Sequence, residues 1–176
     1  MLRSQRLFAA VVLLSLFALP AQARKPAQPA PAGDNWISFG GGYYNGQDYE
    51  APPGEQKDEA ERVDGYEGML AFNAAGPVLL RLRASWLLNF TSNTAEEVGA
   101  LVGLPLGPDR RVYLAAGVAR LTDVSNEGQS PTVGVPIELL FYPTRGFEVS
   151  VHGNLNPDSD YIGFTLGGVF GKQRAQ

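Results

Sequence analysis

The sequence predicts an all-β protein, an eight-stranded antiparallel up-and-down transmembrane β-barrel, from three observations. Runs that alternate apolar and polar residues follow one another along the chain, and period two is the signature of a strand with two distinct faces. The connections between the runs are alternately short and long. The more polar face carries many glycines and almost no lysine. No segment after Asn35 joins a helical period to caps, and Glu96 to Gly103 holds too much glycine for a helix interior.

The chain opens on a different kind of segment. Arg3 and Arg6 precede an unbroken apolar run from Leu7 to Leu19, Pro20 ends it, and Ala21-Gln22-Ala23 follows. This is the layout of a secretory signal peptide over 1–23, with cleavage expected after Ala23. The run falls short of the ~20 residues that a membrane-spanning helix needs. Residues 24–35, RKPAQPAPAGDN, read as a Pro/Ala-rich linker, 36–170 as the barrel domain and 171–176 as a C-terminal tail.

The strands are expected at 36–45, 64–73, 78–90, 97–106, 111–121, 132–142, 147–155 and 161–170. NAAGP (73–77), LGPDR (106–110) and PTRG (143–146) have the Gly, Pro, Asn and Asp chemistry of tight turns. The connections at 46–63, 91–96, 122–131 and 156–160 are longer and polar. An up-and-down order then puts all short turns and both termini at one end. In 78–90, Leu80, Leu82, Ala84, Trp86, Leu88 and Phe90 share one face, while Arg81, Arg83, Ser85 and Asn89 share the other. In 132–142, Val133, Val135, Ile137, Leu139 and Phe141 oppose Gly134, Glu138 and Tyr142. In 147–155, Phe147, Val149, Val151 and Leu155 oppose Glu148, Ser150, His152 and Asn154. Strand 111–121 is less regular, because its apolar face (Val112, Leu114, Ala116, Val118) also receives Arg120. Pro105 lies near a turn, but Pro136 lies mid-run and loses a ladder hydrogen bond, so a bulge or a strand boundary is expected there.

Alternation does not say which face points inward. A soluble barrel would put the apolar face inside, around an apolar ligand; a transmembrane barrel puts it outside, against lipid. Gly40, Gly42, Gly99, Gly103, Gly134, Gly163 and Gly167 fall on the more polar face, as suits the narrow interior of a small barrel. Lys25, Lys57 and Lys172 all lie outside the strands. Trp36, Tyr43, Tyr44, Trp86, Phe90, Phe141, Tyr142, Phe147, Tyr161 and Phe170 lie near strand ends, the distribution of interfacial girdles. The apolar face is therefore expected to point outward.

The last strand, YIGFTLGGVF, alternates apolar residues and ends on Phe170. With the signal segment, the even strand number and the alternating connections, the chain resembles the small eight-stranded outer-membrane β-barrels and is similar to the OmpX and OmpA transmembrane-domain group over residues 36–170. That resemblance implies a bacterial outer-membrane location, contact with outer-membrane lipid and lipopolysaccharide, and insertion by the barrel-assembly machinery. It also implies a non-enzymatic structural or surface-interaction role. In that group the closing Phe is usually the final residue, whereas GKQRAQ follows Phe170 here.

With the polar face inward, Glu67, Arg81, Arg83, Glu138, Glu148, Ser150 and His152 are expected to form a polar network that plugs the lumen. Buried charges persist only when paired and hydrogen-bonded. An enzyme is the alternative, since Glu148, Ser150 and the single histidine, His152, share a face and could serve as orienter, nucleophile and base. The outer-membrane lipid A deacylases use a His-x-Ser-Asn pattern. Here the order is His152-Gly153-Asn154-Leu155, without that serine, and His152 has inward parity. No residue is assigned to catalysis, to a cofactor or to a metal.

Composition narrows the partners. Eighteen acidic residues against 14 basic ones argue against nucleic acid. The absence of cysteine rules out disulfides, thiolate metal sites and a cysteine nucleophile. The loop QDYEAPPGEQKDEAER (47–62) is strongly acidic but lacks the spacing of a calcium loop, and reads as a solvated surface loop whose ligand is unknown. FGGGYYNG and GLPLGP are glycine-rich, yet neither joins a strand to a helix as a phosphate loop does.

Overall fold

The computed structural model describes residues 34–48, 61–89, 94–123, 131–156 and 159–171. Signal segment 1–23, most of the linker, the acidic stretch 49–60, Phe90 and the tail beyond Gly171 lie outside the described residues. The described chain forms eight strands: β1 (Asp34–Asp48), β2 (Glu61–Ala75), β3 (Leu79–Asn89), β4 (Thr94–Pro105), β5 (Val112–Asp123), β6 (Thr132–Thr144), β7 (Phe147–Leu155) and β8 (Ser159–Gly171). Each pairs antiparallel with the next, and β1 pairs with β8, so the sheet closes on itself in chain order. Closure leaves no unpaired edge, the condition a sheet must meet inside lipid. This is the up-and-down transmembrane barrel that the sequence predicts. Several strands run past their expected ends, and β1 starts at Asp34, inside the segment read as linker.

The faces divide as parity requires. Outward residues include Leu80, Leu82, Val98, Val102, Val118, Val133, Ile162 and Phe164, all exposed. Inward residues include Arg81, Arg83, Glu138, Glu148, Ser150 and His152, all buried. A soluble ligand-binding barrel needs the opposite arrangement, so that reading of the alternation is overturned.

Glycine sets how closely β1 and β8 approach at the closing seam. Gly40 is paired with Gly167, and Gly42 with Thr165. A Cβ on Gly42 would collide with the carbonyl oxygen of Phe164, and one on Gly167 with that of Phe39. On the outer side Phe39 and Phe170 stack with ring centroids 5.3 Å apart. Phe39 also lies over Gly168, covering backbone that no side chain would otherwise shield.

Two expectations need correction. The register across Pro136 is continuous on both sides, so no bulge forms there. The β5–β6 ladder instead lacks pairs between Ala116↔Ile137 and Ala119↔Gly134, which accommodates the missing donor. The register shift of β6 falls at Phe141/Thr144, beside the turn to β7. The second correction concerns the aromatics. Trp36, Tyr44, Tyr142 and Tyr161 are buried inside the barrel, while Trp86, Phe141, Phe147 and Phe170 are exposed on the outer wall. Only the second group can belong to an interfacial girdle. Parity sends the first group inward, where each ring occupies an end of the lumen.

Leu82 is the fourth of the eleven residues of β3 and is 60% exposed. Replacing it by arginine is expected to cost about 2–4 kcal/mol of stability in a bilayer. Reversible urea unfolding in lipid vesicles reads this directly. Wild-type stability in the variant would mean that this wall does not face lipid.

Candidate functional site: the polar lumen

Inward parity brings polar side chains from every strand except β5 to the barrel axis. In the tier nearer the short turns, Arg81 of β3 lies between two carboxylates. Its Nη2 donates to Glu148 Oε1 at 2.8 Å and to Glu138 Oε1 at 3.1 Å. Its Nη1 donates to Asn73 Oδ1 at 2.9 Å and to Glu148 Oε2 at 3.3 Å. Nε sits 2.8 Å from Glu138 Oε2, an ion-pair contact whose N–H is not aimed at the oxygen. Ser38 of β1 donates to Glu148 Oε2 at 2.5 Å, and Asn73 donates to Ser38 at 3.1 Å.

The next tier centres on Arg83 and His152. Arg83 Nη2 donates to Glu67 Oε1 at 2.6 Å, and Nε donates to Ser85 Oγ at 2.9 Å. His152 Nε2 lies 2.6 Å from the other oxygen of Glu67. An ionised carboxylate can only accept, so Nε2 is the donor in this contact. Nδ1 lies 3.3 Å from the Ser150 hydroxyl. Ser150 donates to Glu138 Oε1 at 2.6 Å, which joins the two tiers. Toward the long loops, Glu97 accepts from Asn154 at 2.6 Å and from the Tyr161 hydroxyl at 2.8 Å.

Apolar and aromatic groups stand at both ends of this column. Trp36, Leu79, Tyr113, Leu140, Tyr142 and Val169 pack together at the short-turn end. Trp36 and Tyr142 meet edge-to-face at 5.6 Å, and Tyr113 and Tyr142 at 6.1 Å. Tyr44, Leu87 and Tyr161 pack together at the long-loop end.

All seven residues singled out from the sequence (Glu67, Arg81, Arg83, Glu138, Glu148, Ser150 and His152) are buried on the inward face. Two details differ from expectation. Glu148 does not orient His152; it is bound to Arg81 and Ser38, and Glu67 of β2 holds the imidazole instead. Strand parity places Glu148 and His152 on one face, but the closed barrel brings a different strand closer to the ring. Glu97, Asn73 and Ser38 also belong to the network. Glu97 shares its parity with Gly99 and Gly103 of the same strand, a signal that could have placed it inward.

Ser150, His152 and Glu67 form a serine–histidine–carboxylate chain. Its geometry is not that of an activated nucleophile. The serine proton is committed to Glu138, and Ser150 has no exposed surface. Among the described residues, no group of His, Cys, Asp and Glu is arranged to hold a metal ion.

Comparison with known proteins supports the class and goes no further. No protein-family model matches the chain, and no curated protein matches it by sequence. Among solved structures it is similar to Neisserial surface protein A, at 8% identity and a TM-score of 0.54, covering 78% of this chain and 97% of that one. Ail of Yersinia pestis is found at 13% identity and a TM-score of 0.43, covering 78% and 99%, too low to add to the argument. The fold is that of the small eight-stranded outer-membrane β-barrels.

Arg81 gives the network its sharpest test. Arg81→Ala leaves Glu148 buried without its cation and Glu138 with only the Arg83 contact at 3.9 Å, and is expected to cost about 3–5 kcal/mol. Adding Glu148→Gln to Arg81→Ala is expected to cost less than the two single changes summed, because the partners share one interaction. Urea midpoints for the four proteins measure both effects; strict additivity would show that the pair is not coupled.

Proposed function

We propose that the protein is a bacterial outer-membrane barrel with a non-enzymatic structural or surface-interaction role and a lumen plugged by its own side chains. On this reading an N-terminal signal peptide exports the chain, and the barrel-assembly machinery inserts it. The outer wall contacts outer-membrane lipid and lipopolysaccharide. The long loops, Glu- and Asp-rich in sequence, meet the exterior and any surface ligand. The observation that carries the reading is the closed column of paired charges, with a packed cluster at each end, inside a wall whose outer face is apolar. Eight strands leave an interior only wide enough for side chains. Filling it with ion pairs spends the interior on stability rather than on passage of solutes.

The Ser150–His152–Glu67 chain supports a second reading, a lipid-modifying barrel enzyme similar to the lipid A deacylases. Against it stand the inward parity of all three residues and the hydrogen bond from Ser150 to Glu138. A lipid substrate approaches from the outer wall, on the opposite face of the same strands.

Fractionation with heat-modifiability on a denaturing gel tests location and fold together. The protein is expected in the outer membrane, with unboiled and boiled forms migrating differently; recovery from the periplasm without detergent would sink the reading. Planar-bilayer recordings are expected to show no conductance steps, and reproducible steps in the wild type would refute a plugged lumen. Ser150→Ala and His152→Ala are expected to leave lipid A composition unchanged. A lipid A species that depends on both residues would establish the enzyme instead.

A further inference from the structure

Arg120 fits neither the lumen nor an ordinary lipid-facing wall. It is exposed on β5 with the outward parity of Val118, which is 55% exposed. Its paired neighbours on the two adjoining strands are Val98 and Val133, 62% and 60% exposed. The guanidinium thus projects from the outer wall with valines on both sides and below it. No ion pair joins it to a carboxylate among the described residues. Glu96 is one outward position further along, paired with Thr122 rather than with Arg120. Arg62, the other outward-facing arginine toward the long-loop end, is different. Its Nε and Nη2 lie 3.0 Å from the Asn45 amide oxygen once that amide is oriented to accept.

The height of Arg120 is also defined. It lies eight positions up β5 from Val112, which marks the short-turn end of the strand. At ~3.4 Å per residue and a tilt of ~40°, that is about 20 Å along the membrane normal. The apolar band of such barrels is ~25 Å tall. A long side chain can extend from this level to the headgroups while its methylenes stay against the valines. Short turns face the periplasm in this architecture, so the headgroups reached are those of the outer leaflet.

We propose that Arg120, with Val98, Val118 and Val133, is a docking site for a phosphate-bearing lipid of the outer leaflet. The guanidinium fork takes the headgroup phosphate in paired hydrogen bonds, and the valines lie along the acyl chain. The chemistry selects an amphiphile carrying a phosphomonoester or diester at the base of its headgroup. The inference rests on the outer-membrane reading above and adds to it a specific residue.

The test uses the mature full-length protein in nanodiscs of zwitterionic phospholipid. Phosphorylated lipid A, or the same lipid A stripped of phosphate, is titrated in, and bound lipid is counted by native mass spectrometry. Wild type is expected to retain phosphorylated lipid A in preference to the stripped form. Arg120→Gln is expected to weaken retention about tenfold, the loss of one charge-assisted contact. Arg120→Lys, which keeps the charge without the fork, is expected to fall between them. Arg111→Gln, at the opposite end of the barrel, is expected to match wild type. A heat-modifiability shift equal to wild type shows that each variant is folded. Equal retention by wild type and Arg120→Gln, or equal retention of stripped lipid A, overturns the site while leaving the barrel reading intact. Displacement of the lipid by millimolar inorganic phosphate overturns it in favour of a simple anion site. A protein that does not enter the nanodisc overturns the transmembrane reading and this proposal with it.

Discussion

The Arg81 guanidinium, held between Glu138 and Glu148, is the interaction on which the interior depends. Its partners come from β6 and β7, and through Asn73 and Ser38 the same cluster reaches β2 and β1. One buried cation therefore ties together strands far apart in sequence. Its cost explains its company. Taking a guanidinium and two carboxylates out of water carries a penalty of several kcal/mol per ion, offset only when geometry is good and the remaining donors and acceptors are occupied. Serine, asparagine and a second arginine occupy most of these groups here, while Arg81 Nε and Arg83 Nη1 meet Glu138 as ion-pair contacts without a hydrogen bond. An ion-pair column is then a workable core for a barrel whose apolar residues lie mostly on the outer wall and at the two ends of the lumen.

The same constraint accounts for the small residues and the end clusters. A sheet of eight strands encloses little volume. Where β1 and β8 meet, glycines face one another, so that the backbones approach closely and room remains beside them for Ser38, Glu148 and Thr165. Toward the mouths the demand reverses. Large rings fill the cross-section there, Trp36, Tyr113 and Tyr142 at one end and Tyr44 and Tyr161 at the other. The charged side chains between these clusters are buried, and a low local dielectric strengthens the pairs between them. The end clusters and the ion pairs thus support each other.

On the proposed reading, this division leaves two surfaces for interaction, the outer wall and the loops. The outer wall is apolar along most of its described length, which makes an exposed arginine among valines chemically distinctive. The histidine that the alternation of β7 brings to notice lies between Glu67 and Ser150. The Ser150 proton already has an acceptor in Glu138, and on the proposed reading a lipid would lie on the other side of the sheet.

The sequence by itself determined the strand number, the antiparallel order and the face of each strand, because period two and turn chemistry are local properties of the chain. Leu80 to Leu88 and Glu148 to Asn154 could each be divided into two faces by inspection, and five of the seven residues expected in the lumen followed from that division. Which partner each of them holds was decided only by the tertiary structure. Glu67 meets His152, and Glu148 meets Arg81, because barrel closure and register set cross-lumen distances that no strand encodes alone. Parity alone sends Trp36, Tyr44, Tyr142 and Tyr161 inward, but closure packs them into the clusters at the ends of the lumen, and a gap in one ladder spares β6 a bulge at Pro136. Parity is written in a single strand; contact across a barrel is a property of all eight together.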